Sequence, residues 1–317
     1  MSPIFVPTTI TPDPEPEVPE VEPPVMHPTY NHAFTLFGGD DSTWDLVQGP
    51  VYILAGASGF GFPDPQHRWK ESTNADGAIH GGLKYGIREF SLPMEVDMRL
   101  SDPAEWSRIE KEFWHALNPR HQCILTVTSP YGEVRYLPFR YSGGGDSPFE
   151  LDPLIRQNNV YPIEGEAGIP FWLGQAVQRE YSIEAGAPTF PGPPFYLSSS
   201  TAIENVSLTN EGDEDAWMRW TINGPYDEVT VGVDDVVITM STSIEAGESR
   251  TIITDPAQGR SIRDQDGNLV WSEASVLGFA PIPAGDDSTI VMSMSGGLEG
   301  TSSIGLFFQP RYLRAFS

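Results

Sequence analysis

The sequence predicts an all-β protein carrying one helix, and three observations lead there. Glycine and proline, at 31 and 30 of 317 residues, make nearly a fifth of the chain while hydrophobic residues still reach 39%; that mixture is expected of many short strands joined by tight turns. Phe90, Leu92, Met94, Val96, Met98 and Leu100 alternate with Ser, Pro, Glu, Asp and Arg, the period of a strand buried on one face. In the second half, short apolar runs are separated by Asn223-Gly224, Ala246-Gly247, Asp266-Gly267, Ala284-Gly285 and Gly296-Gly297, spacing that suggests an antiparallel sandwich. A chain this long is expected to divide into two domains.

Residues 1–33 hold nine prolines and five acids with no Lys or Arg. Proline fixes φ and lacks the backbone N–H, so this arm reads as extended. It is either a solvated tail or an arm ordered by a neighbouring subunit. From residue 34 to about 190 a folded domain is expected, with strands over Phe34–Phe37, Val51–Ala55, Arg88–Leu100, Gln122–Thr128 and Glu133–Tyr141. Its helix starts at Asp102, with Pro103 in the first turn and Glu105 three residues after the cap. Trp106, Ile109, Phe113 and Leu117 then recur at helical spacing until Asn118-Pro119 stops it. This stripe is read as packing on a sheet or barrel mouth. Residues 142–195 read as irregular.

The break at Pro188–Pro194, where Pro and Gly dominate, is the expected boundary. A second domain over 191–317 then restarts the pattern. Its strands are expected over Ala202–Thr209, Trp217–Ile222, Glu228–Met240, Arg250–Thr254, Leu269–Trp271, Thr289–Met294 and Ser303–Phe308.

Composition and motifs exclude several functions. With 18 Lys plus Arg against 44 Asp plus Glu, the net charge of -26 disfavours a phosphate-neutralising surface, so no sequence-specific nucleic-acid partner is expected. The first 20 residues have neither a basic n-region nor an apolar h-region, and no run approaches a membrane span; synthesis in a reducing cytoplasm and no membrane partner are expected. Cys123, the single cysteine, is read as a small buried hydrophobe, with no disulfide partner and no thiolate zinc cage. The loop Gly56-Ala57-Ser58-Gly59-Phe60-Gly61 lacks the ending of a phosphate cradle and is read as mobile. No Gly-x-Ser-x-Gly elbow occurs. His27, His32, His67, His80, His115 and His121 show no His-Glu-x-x-His spacing. Asp264, Asp266 and Asn268 open like a calcium loop, but Leu269 and Ser275 stand where glycine and glutamate are needed, so a hairpin turn is expected. Glu211, Asp213, Glu214 and Asp215, and the pair Asp234-Asp235, read as solvated surface. Trp217, Trp220, Tyr226 and Trp271 read as core, with a sugar-binding platform as the alternative. No catalytic, cofactor-binding or metal residue is assigned.

The order of several short motifs adds a further reading. Trp44 lies near the start of the first domain, and Asp76-Gly77 precedes Tyr85-Gly86-Ile87-Arg88-Glu89-Phe90-Ser91-Leu92-Pro93. Trp106, Leu117-Asn118-Pro119, Pro130-Tyr131-Gly132-Glu133-Val134-Arg135 and Pro170-Phe171-Trp172 follow. Later come Asn210, Gly212, Trp220-Thr221-Ile222-Asn223-Gly224-Pro225, Ile244-Glu245-Ala246-Gly247-Glu248 and Phe308-Gln309-Pro310-Arg311-Tyr312. Over roughly residues 34–317 this order resembles the distal tail or minor tail proteins of long-tailed (siphovirus) phages of Actinobacteria. The resemblance implies a β-barrel or sandwich-like ring domain followed by a galectin-like β-sandwich. It also implies a structural virion protein, assembled in the host cytoplasm, whose hexameric ring joins the tail tube protein to the tail tip or baseplate without cofactor or catalysis. The alternative is a protein that binds or cleaves host glycans through its C-terminal sandwich.

Overall fold

The computed structural model describes residues 31–316 apart from 74–75, 100–101, 147–151, 185–194 and 199–201. Most of the 1–33 arm, His27 and the Pro188–Pro194 break lie outside the described residues.

The first unit contains β1 (Ala33–Phe37), β2 (Thr43–Asp45), β3 (Val51–Ile53), β4 (Pro65–Glu71), β5 (Ala78–Tyr85) and β6 (Arg88–Asp97). Then come α1 (Pro103–Ala116), β7 (Cys123–Thr128), β8 (Val134–Gly143), the four-residue α2 (Pro153–Arg156), β9 (Asn158–Ala167) and β10 (Trp172–Leu173). The second unit has β11 (Val177–Glu184), β12 (Phe195–Ser198), β13 (Ala202–Thr209), β14 (Arg219–Asn223), β15 (Glu228–Val233) and β16 (Val236–Met240). It continues with β17 (Ser249–Ile253), β18 (Ser261–Asp264), β19 (Ala274–Leu277), β20 (Asp287–Ser295), β21 (Ser303–Phe308) and the two-residue β22 (Arg311–Tyr312). The chain is almost entirely β, as expected, and among the described residues no helix is long and apolar enough to cross a membrane.

The main sheet of the first unit runs β2-β1-β7-β8-β9-β6-β3. Its two ends meet where the Ile53 N–H donates to Leu46 O at 2.9 Å, just beyond β2, so the sheet nearly closes into a barrel. The alternation read over residues 88–100 holds where it is described: Phe90, Leu92, Met94 and Val96 all point into the core. The helix also starts as expected, with Asp102 Oδ1 accepting from the Ala104 N–H at 3.0 Å. Its stripe covers the barrel: Trp106 Nε1 donates to Val96 O at 3.3 Å, and Phe113 meets Trp44 edge-on with centroids 5.7 Å apart.

The second unit is a sandwich of two sheets, β12-β11-β21-β14-β17-β18 and β13-β20-β15-β16-β19. Trp220, Ile222, Ile304 and Leu306 of the first meet Val229, Val231, Ile290 and Met292 of the second in one core. β11 belongs to this sandwich, and its Tyr181 and Ile183 lie in that core.

Several expectations are corrected. The run Glu228–Met240 is a hairpin rather than one strand, because Asp234 adopts a positive φ of 51° and its backbone N–H and carboxylate both bond Thr289. Leu269–Trp271 is not a strand: Leu269 forms one bridge to Arg263 and is 57% exposed, and a short 3-10 turn begins at Trp271. Residues 158–167, read as irregular, form a ten-residue strand between β6 and β8. Trp220 and Tyr226, read as core, are each 1% exposed and do lie in the core, with Trp271 packed against it, which leaves the alternative of one exposed four-ring platform unsupported.

Candidate assembly site

Two features give the molecule its functional geometry: a seam where the chain's end locks the two units together, and a hairpin that leaves both.

The seam begins where β21 ends. After Phe308 the chain returns to the first unit, pairing Tyr312 with Trp172 and Arg311 with Leu173. The Gly174 N–H donates to Pro310 O at 2.8 Å, and the Ala315 N–H to Phe60 O at 2.8 Å. Ala315 and Phe316 join the first unit's core. Three arginines fix this segment. The Arg88 guanidinium, 2% exposed, donates to the carbonyls of Gly59, Gly61, Pro170 and Leu313 at 2.6–2.8 Å. Burial pulls its pKa down to about 10, still far above neutral, so it remains charged. Arg135 donates to Arg314 O at 2.7 Å and stacks over the Tyr312 ring at 4.0 Å. Arg311 reaches Asp255 Oδ2 at 2.5 Å. The glycine-rich loop 56–61, read as mobile, is therefore pinned by Arg88. Gly59 is required there, since its φ is +91° and a Cβ would lie 2.2 Å from Phe90 Cβ.

The acids 211–215, read as solvated surface, also divide. Asp213 Oδ2 accepts from the Leu313 N–H at 2.9 Å. Glu214 hydrogen-bonds the Tyr85 hydroxyl, and burial followed by repulsion from Asp215 and Asp213 raises its pKa. Beside the seam an open cleft of about 600 Å3 is lined by Tyr131, Glu133, Arg135, Arg179, Glu211 and Tyr312. Its charged walls differ from the enclosed apolar pockets that small molecules favour.

Cys123 is fully buried with Sγ 3.3 Å from Ala116 O, and burial raises its pKa, in keeping with its reading as a core residue. Asp264 closes a tight turn, accepting from the backbone of Asp266 and Asn268 and from the Asn268 amide. Among the described residues no group of three or more His, Cys, Asp or Glu is placed to hold a metal.

The hairpin β4–β5 was not foreseen. Among the described residues it pairs with no other strand, and none of its residues enters either core. Its bulge leaves Gly81 unpaired between the Trp69–His80 and Arg68–Gly82 pairs, which brings His80 and Leu83 onto the same face. That face carries Pro65, His67, Trp69, Glu71, Ala78, His80, Leu83 and Tyr85. The opposite face carries Arg68, Lys70 and Lys84 around Ile79; these three cations make no ion pair among the described residues. Trp69 is 59% and Ile79 74% exposed, and Phe62 and Ile87 at the hairpin's base are exposed too. A lone two-stranded hairpin is marginally stable in water, and contiguous exposed apolar surface marks an interaction site.

Solved structures share this fold over most of the chain. The SPP1 Dit (gp 19.1) protein, described as a hub of the adsorption apparatus in phages infecting Gram-positive bacteria, aligns with a TM-score of 0.57 over 88% of this chain and 99% of its own, at 12% identity. The chain has the fold of a phage distal tail protein. Chains of the phage p2 baseplate in its activated conformation align over the same 88% of this chain with TM-scores of 0.51: the calcium form at 11% identity over 98% of its length, the strontium form at 12% over 97%. No protein-family model and no curated protein sequence matches the chain. The distal tail fold therefore connects it to these proteins through structure, at identities where sequence alone carries little.

Proposed function

We propose that this chain is a structural subunit of a phage tail, a distal tail hub protein whose copies close a hexameric ring between the tail tube and the tail tip or baseplate. The observation that carries this reading is the β4–β5 hairpin. Apart from Tyr85, which meets Phe171 and Glu214, it offers an exposed face carrying Trp69 and Leu83 and an exposed cationic face, on a protein whose net charge is -26. The surface most available to satisfy both is another copy of the same acidic chain, and a heterologous contact of that kind closes into a ring when its rotation permits. The first unit, with the hairpin and the returning 311–316 segment, forms the ring; the sandwich projects from it. The distal tail fold supports the role, and the order of the sequence motifs supports phages of Actinobacteria as the source. On this reading the protein is assembled in the host cytoplasm, resides in the virion and has no catalytic function.

The experiment is light scattering on the purified chain and on two variants, Trp69→Ser and Ile79→Asp, at several concentrations. Both residues are exposed in the single chain, so circular dichroism should be unchanged. The wild type is expected to form an oligomer of one size, and both variants to shift toward the 34.9 kDa monomer. An oligomer indifferent to both substitutions would remove the hairpin from the interface and the main support for this reading.

A further inference from the structure

We propose that His67 and His80 form a chelating site for one divalent transition metal ion of the imidazole-seeking class, represented by Zn2+. His67 lies on β4 and His80 on β5, and their approach depends on the bulge at Gly81 that turns His80 onto the face of His67. His67 Nδ1 stands 3.2 Å from His80 Nε2, with ring centroids 5.2 Å apart and planes at 62°. Two nitrogens each bound at about 2.05 Å to a tetrahedral zinc stand about 3.3 Å apart, so the pair already has the spacing a metal requires. In the metal-free pair one ring donates its N–H to the other's lone pair; on chelation the donor ring carries that proton on its far nitrogen instead, and both facing lone pairs turn to a common point. Both rings are exposed and free to make this rotation, while Trp69 flanks them at 5.2 Å from His80 and 6.0 Å from His67. Imidazole nitrogen selects Zn2+, Cu2+ or Ni2+ over the oxygen-seeking Ca2+ and Mg2+. With two protein ligands, water completes the coordination. The metal would clip β4 to β5 and stiffen a hairpin that has no core of its own. This inference does not depend on the proposed ring.

The test is a calorimetric titration of the full chain with Zn2+ in excess Mg2+, which occupies the many surface carboxylates. One Zn2+ per chain is expected. His67→Gln or His80→Gln should each weaken it by about tenfold or more, because the second ligand acts at high effective concentration only when the first is bound. The double variant should lose little beyond either single one, and His121→Gln should bind as the wild type does. No stoichiometric Zn2+ site in the wild type would overturn the proposal. So would an affinity unchanged in both single variants, or one that follows His121.

Discussion

Arg88 Nη2 donates to the Leu313 carbonyl at 2.8 Å across 225 residues of sequence. The same guanidinium holds Gly59, Gly61 and Pro170, so one buried cation gathers a loop, the Pro170-Phe171-Trp172 segment and the chain's end. No carboxylate is among these four partners; carbonyl dipoles from converging backbone segments satisfy the fork. The four bonds are part-buried, and each, donated by a charged group, is worth about 1.5–3 kcal/mol before relaxation.

Arg88→Met is therefore expected to destabilise the protein by at least about 3 kcal/mol. Arg88→Lys should recover only part of the loss, since a compact ammonium cannot reproduce the planar fork. Urea unfolding of the two variants beside the wild type measures this. Equal stability of all three would show that the seam does not depend on the guanidinium.

Cys123 gives a second expectation. Burial is the largest cause of its raised pKa, and its side chain is closed off by Ala116 and the barrel. The thiolate is the reactive form, so a thiol reagent at pH 8 should leave the native chain unmodified and label one thiol per chain after denaturation. Rapid labelling of the native protein would place Cys123 at the surface.

Glu214 sets a pH dependence of opposite sign to the usual carboxylate. Burial, then the neighbouring acids, raise its folded pKa above the ordinary carboxylate range, so its ionised form weighs against folding. That penalty is absent below the unfolded pKa, where the group is protonated in both states, and grows as pH rises through the folded value. Glu214→Gln should consequently raise the melting temperature slightly at pH 7 and leave it unchanged near pH 4. A variant less stable than wild type at pH 7 would mean that the Tyr85 hydrogen bond outweighs the charge.

Much of the fold was legible because its signals are local. The 88–100 alternation, the Asp102 cap with its aromatic stripe, and glycines such as Gly267 at φ +85° each carry their cause within a few residues. The seam and the hairpin were not legible, for physical reasons. β4 and β5 lack apolar alternation because neither strand covers a core, and the His67–His80 approach arises from a bulge that no spacing rule encodes. β9 read as irregular because Pro162, Gly165 and the acids Glu164 and Glu166 interrupt it, yet its ten-residue pairing with β6 overrides those propensities. Arg88 was visible within a motif, but its four acceptors are brought together only by the tertiary fold.

The central claim is that copies of this chain close a ring, and image averages of the purified protein in negative stain test it most directly. The account predicts closed particles with sixfold symmetry and a mass of six 34.9 kDa chains. Open filaments, or a single chain at every concentration together with failure to join rings of a purified tail assembly, would contradict it.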